Sequence, residues 1–142
     1  MTNLNLITKN LRETLKFGEQ LARRLKKGDL VALTGNLGSG KTSLTQGIAR
    51  GLGVKGYIRS PSFKLINEYR GTVPIFHFNL WRLKSITEVE ELGYRDYFYN
   101  NGVTVIEWAE KIGPILPQEY WQVNLFNLGG TRRKIVVKKV KA

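Results

Sequence analysis

Gly35-Asn36-Leu37-Gly38-Ser39-Gly40-Lys41-Thr42 meets every constrained position of the P-loop pattern G-x-x-x-x-G-K-[ST]. This stretch constrains the fold more than any other. Glycines at 35, 38 and 40 let the backbone turn tightly and approach an anion with no Cβ in the way. Successive N–H groups and the following helix N-terminus can then cradle phosphates. Lys41 supplies a point charge to the β- and γ-phosphates, and the Thr42 hydroxyl suits Mg²⁺. The flanks agree with such a loop. Leu30-Val31-Ala32-Leu33 reads as a buried strand. Leu44, Ile48 and Leu52 form one stripe of a helix that Gly51 and Gly53 close. Strand, glycine loop and helix in this order predict nucleotide binding, with Ser43 beside Thr42 at the helix start.

The rest of the chain predicts an α/β domain. Asn10 and Glu13 stand in capping-box register ahead of Leu11, Leu15, Ala22 and Leu25, a helical stripe that should run to Gly28-Asp29. Val54 to Ile58 reads as a short strand, and Ser60-Pro61-Ser62 as a break. Phe63 to Tyr69 and Ile75 to Leu80 read as an antiparallel hairpin around Arg70-Gly71-Thr72-Val73-Pro74. Ser85 with Glu88 is a capping box for a short helix closed by Gly93, and Asp96 to Tyr99 has helical character. Val103-Thr104-Val105-Ile106 is a β-branched run suited to a central strand. Trp121 to Phe126 and Lys134 to Val140 flank a turn at Asn127, Gly129 and Gly130 and predict a C-terminal hairpin. The expected architecture is a P-loop NTPase-type sandwich with a mixed, mainly parallel sheet plus antiparallel hairpins. At 142 residues, one domain over 1–142 is expected.

Composition removes several classes of function. There is no cysteine, which excludes disulfides and thiolate metal sites. No apolar run approaches the length of a membrane span, and the first residues lack the pattern of a signal peptide, so a cytosolic location is expected. Lys and Arg number 23 against 11 Asp and Glu, a net charge of +12. That excess favours an anionic partner, RNA or an acidic protein surface, and a solvated basic surface with no specific partner is the other reading.

Hydrolysis needs a carboxylate near the metal and a group that orients water. Glu107 follows the Val103–Ile106 run, where P-loop enzymes place a metal-side acid. Trp108 comes next, either stacked beside a nucleotide or packed in the core. His77, Asn79 and Trp81 alternate onto one face of a strand, with the single histidine of the chain beside an amide. Ser60 and Ser62 lie in a Pro-bearing loop that can act as a switch or remain an ordinary turn. A small-molecule kinase and a nucleotide-gated binding module are the other classes open to such a chain. No lid segment is evident for a kinase.

Five segments together carry a family resemblance: the glycine loop, Ser60-Pro61-Ser62-Phe63, His77-Phe78-Asn79-Leu80-Trp81-Arg82-Leu83, Glu90-Glu91-Leu92-Gly93 and Glu107-Trp108-Ala109-Glu110. In this order and spacing the chain resembles the bacterial tRNA threonylcarbamoyladenosine biosynthesis ATPases, the TsaE family, formerly YjeE. The resemblance implies a small ATPase that binds ATP and Mg²⁺. It implies docking on a two-protein partner complex of the TsaB and TsaD type, which modifies adenosine 37 of tRNAs reading ANN codons. Lys41 and Thr42 would contact phosphate and metal, Glu107 would be a metal-side acid, Trp108 would lie near the nucleotide, and Ser62 would be the switch hydroxyl. The chain departs from the family pattern at Asn79, where Asp is usual. An amide can orient water but cannot act as a base, so slow hydrolysis is expected. Ser62 stands for Thr, Trp81 for Tyr and Ala109 for Pro. The basic residues Arg132, Arg133, Lys134, Lys138, Lys139 and Lys141 are candidates for partner docking or tRNA contact, with Arg132 a further candidate for the nucleotide.

Overall fold

The structure, a computed structural model, describes residues 3–35, 40–56, 58, 65–99 and 101–141. One seven-stranded sheet organises them: β1 (Asn3–Thr8), β2 (Leu30–Thr34), β3 (Ile66–Arg70), β4 (Pro74–Asn79), β5 (Val103–Glu107), β6 (Tyr120–Gly129) and β7 (Arg132–Val140). Their spatial order is β1-β7-β6-β2-β5-β4-β3. The central pairings β6–β2, β2–β5 and β5–β4 are parallel, and the outer β1–β7, β7–β6 and β4–β3 are antiparallel. The mixed sheet and both expected hairpins are therefore present. The apolar runs Leu30–Leu33 and Val103–Ile106 occupy the centre, where both faces of a strand are covered.

Helices α1 (Leu11–Ala22) and α2 (Lys41–Gly51) pack on one face over Val31, Leu33, Val105, Val123 and Ile135. They meet backbone to backbone. A Cβ on Gly47 would fall 2.1 Å from the Leu15 carbonyl oxygen, and one on Gly18 would fall 2.6 Å from that of Leu44. Helices α3 (Ile86–Glu91) and α4 (Tyr94–Phe98), with 3₁₀ turns over Ala109–Ile115, cover the other face around Leu30, Ala32, Phe78 and Ile106.

Several local expectations are corrected. Asn10 caps α1 through the Glu13 amide at 2.9 Å, but the Glu13 carboxylate accepts from the Lys9 N–H rather than from Asn10. The helix stops at Ala22, and Leu11 faces outward with 48% of its surface exposed. The buried stripe runs through Thr14, Phe17, Gly18, Leu21 and Ala22 instead. Of the 54–58 stretch, the described residues lie outside the sheet. The Gln46 side chain supplies the hydrogen bonds a neighbouring strand would have supplied, donating to the Gly56 carbonyl at 3.1 Å and accepting from the Ile58 N–H at 2.8 Å. The edge strand β1 and the 3₁₀ turns are additional to the expected elements.

Candidate functional site

Four elements meet at the same edge of the sheet: the carboxyl ends of β2, β4 and β5 and the start of α2. This is where open α/β sheets place their ligands. A cleft of about 370 Å³ opens there, and Lys41, Thr42, Asn79, Glu107, Trp108 and Arg133 are among the residues that line it. Gly40, Ser43, Leu11 and Trp81 also line it. Gly40 has φ +98°, a left-handed conformation that admits glycine readily. It also leaves room for a neighbour, since a Cβ there would come 3.4 Å from the Arg133 Nε.

Lys41 is 5% exposed. Its ammonium donates to the Gly35 carbonyl and sits 3.8 Å from the centre of the Trp108 ring. Burial pushes its pKa below the ordinary lysine value of 10.5, against the opposing charges of Glu110 and Glu107. A lysine stripped of water in this way gains strongly from an anionic ligand.

Glu107 links three elements. As the last residue of β5 it pairs in register with Asn79 of β4 and Leu33 of β2. Its Oε1 accepts from the Thr42 hydroxyl at 3.2 Å, and its Oε2 lies 2.5 Å from the His77 Nε2. Glu107 is 2% exposed and His77 is fully buried. Among the described residues the histidine Nδ1 has no hydrogen-bond partner. A bare acceptor costs less there than a buried, unsatisfied N–H, which favours the tautomer with the proton on Nε2. His77 then donates to the carboxylate. Among the described residues lining the cleft, Glu107 is the only carboxylate.

Trp108 is the only non-glycine residue with positive φ (+62°) among the described residues. Such a conformation costs about 1–3 kcal/mol and persists where the surroundings enforce it. Here Trp108 packs against Trp81, the rings tilted by 45° with their centres 5.1 Å apart. The Lys111 ammonium fastens the Trp81 carbonyl at 2.7 Å. Asn79 reaches the cleft, but its Oδ1 accepts from the Trp81 N–H at 3.1 Å.

The structure brings Lys41, Thr42, Ser43, Asn79, Glu107 and Trp108 together as the sequence predicts, with Gly40 beside them and Gly35 bonded to Lys41. Asn36, Leu37, Gly38, Ser39 and Ser62 lie outside the described residues. Arg132 does not reach the cleft. It is exposed at the start of β7, and Arg133 lines the cleft in its place. Strand alternation explains the exchange, because Arg133, Ile135 and Val137 share the buried face. Arg133 is 7% exposed, and its Nη1 donates to the Gly130 and Arg132 carbonyls at 2.8 Å. Among the described residues its Nε has no hydrogen-bond partner. The period-two pattern of the C-terminal strand could have identified it.

The model of the family described as "Threonylcarbamoyl adenosine biosynthesis protein TsaE" matches residues 8–135. The tRNA threonylcarbamoyladenosine biosynthesis protein TsaE of Bacillus subtilis (strain 168) is 39% identical over 136 residues, covering 95% of this chain and 85% of that protein. The protein of the same name from Synechocystis sp. is 44% identical over 115 residues, covering 78% and 72% of the two chains. The crystal structure of Bacillus subtilis YdiB superposes with a TM-score of 0.78 at 34% identity, over 99% of this chain and 87% of that one. Motif, fold and relatives agree, and the chain belongs to the TsaE family.

Proposed function

We propose that this protein is a Mg²⁺-dependent ATP hydrolase of the cytoplasm. It supports threonylcarbamoylation of adenosine 37 in tRNAs reading ANN codons by acting on a partner complex of the TsaB and TsaD type. The observation that carries this reading is the Thr42–Glu107–His77 chain of hydrogen bonds beside the buried Lys41. Hydrolysis needs a cation for the transferred phosphoryl group and an oxygen pair for the metal. Lys41 fits the first need. The Thr42 hydroxyl and the Glu107 carboxylate, 3.2 Å apart, are hard oxygen donors that fit Mg²⁺. When bound, the metal would neutralise charge on the phosphates. The protein's own part is positional. α2 presents its N-terminus to the phosphates, Arg133 adds a second cation, Trp108 shields Lys41 from water, and His77 aims Glu107.

Asn79 sets the rate in this reading. It stands in register with Glu107 but carries no charge, and one lone pair of its carbonyl is committed to the Trp81 N–H. The same observation favours a second reading, a nucleotide-gated binding module with little turnover. Calorimetric titration with ATP, in Mg²⁺ and in chelator, tests the site itself. Glu107→Gln should weaken binding in Mg²⁺ more than in chelator. Equal losses in both conditions would count against a metal role.

A further inference from the structure

The two faces of the sheet are covered unequally. On the α1–α2 face, Val123, Leu125, Ile135 and Val137 are all buried in the larger core. On the opposite face, α3, α4 and the 3₁₀ turns bury residues of β2, β4 and β5, and no described residue of β1 or β7 joins that core. Beyond β2 only Tyr120, at the start of β6, packs against that core. The rest of β6, with β7 and β1, presents a surface that no described helix covers.

Strand alternation determines what that surface carries. Ile7, Lys134 and Phe126 are register partners across β1, β7 and β6, so they form one row. Ile7 is 54% exposed and Phe126 48%. The Lys134 ammonium lies 5.9 Å from the centre of the Phe126 ring. Along β6 on the same face come Asn124 and Gln122, joined by an amide–amide hydrogen bond of 2.8 Å. Lys138 is the register partner of Gln122. β1, β6 and β7 contain no acidic residue on either face, and five of the nine residues of β7 are basic.

We propose that this open face binds a single strand of RNA. An exposed ring on an uncovered sheet offers a stacking surface to an unpaired base. Side-chain amides beside it can meet base edges, and Lys134 and Lys138 can neutralise phosphates. An acidic protein would engage the lysines but leave the ring and the amides without a matching group. A second copy of this chain would bring the same lysines face to face at a net charge of +12 per chain. The surface is separate from the nucleotide cleft. Glu107, Leu33 and Val123 share one register row on the α1–α2 face, opposite to the row of Phe126. The inference therefore does not rest on the hydrolase reading.

Fluorescence anisotropy of a labelled single-stranded RNA of mixed sequence, titrated with the full chain in excess ADP, tests it. Phe126→Ala should weaken binding about tenfold and Phe126→Tyr should retain it. Lys134→Gln with Lys138→Gln should reduce the slope of log affinity against log salt by about 1.4. ATP affinity should not change in any of these variants, which shows that they fold. Unchanged RNA affinity in Phe126→Ala would overturn the proposal. So would tighter RNA binding when ADP is omitted, equal affinity for the same RNA as a duplex, or a polyglutamate peptide bound as tightly and lost with the same substitutions. Sedimentation showing a dimer that Phe126→Ala abolishes would assign the face to self-association instead.

Discussion

His77 donates from Nε2 to Glu107 Oε2 across 2.5 Å, in a site that leaves the histidine no exposure and the carboxylate 2%. The pair joins β4 to β5 at the carboxyl edge of the sheet, and Thr42 of α2 holds the other carboxylate oxygen. Groups that orient a metal-side carboxylate commonly change metal affinity or activity by about 10–100-fold when removed. His77→Leu should therefore weaken Mg²⁺-dependent ATP binding about tenfold, and His77→Gln, whose amide can still donate, should recover part of it. Calorimetry in Mg²⁺ and in chelator checks this. A loss of the same size in chelator would mean that His77 only supports the fold.

Asn79→Asp places a carboxylate in register with Glu107. Phosphate release should rise, because an acid can accept a proton from water where the amide cannot. Comparing single-turnover hydrolysis by the two proteins, with and without the partner complex, checks it. No gain from Asp in either condition would remove Asn79 as the cause of slow turnover.

Lys41 gives a pH dependence with a definite sign. Burial lowers its pKa below 10.5 despite Glu110 and Glu107, whereas bound phosphates favour its charged form. The empty protein thus loses this proton first as pH rises, and nucleotide binding has to restore it. ATP affinity should fall with rising pH in the interval below 10.5, with proton uptake on binding seen by calorimetry in buffers of different ionisation heat. Stability of the empty protein should move the other way. A lysine depressed in the folded state contributes increasing stability as pH rises through that interval, because the unfolded chain then binds more protons.

Arg133 and Arg132 differ by one position and by opposite sides of β7. Arg133→Ala should lower ATP affinity about tenfold, the scale of one charge-assisted contact to phosphate. Arg132→Ala should change it little. Titration calorimetry on both variants separates the two, and equal effects would show that only bulk charge matters.

Much of this site can be read from the chain because its parts are local. The glycine loop, the strand before it and the helix after it lie within one stretch, and Glu107 directly ends an apolar run. The hairpins are legible for the same reason. Other features depend on contacts between distant residues. β1 becomes a strand by pairing with β7, with Asn3 opposite Lys138. Gly18 and Gly47 look like weak helix residues until α1 and α2 are seen to cross there. The helical spacing of Leu11 suggests the core, but the residue borders the cleft because α1 turns its Thr14–Phe17–Leu21 side inward. His77 stood on the right face in the sequence, but only the parallel pairing of β4 with β5 gives it Glu107 as a partner.

The most direct test of the central claim is phosphate release, measured together with modification of tRNA, by the wild type and by Lys41→Ala in the presence of the partner complex. The wild type should release phosphate and sustain repeated rounds of modification, and Lys41→Ala should lose ATP binding and both activities. Undiminished phosphate release by Lys41→Ala would contradict the assignment of this cleft as the site of ATP hydrolysis.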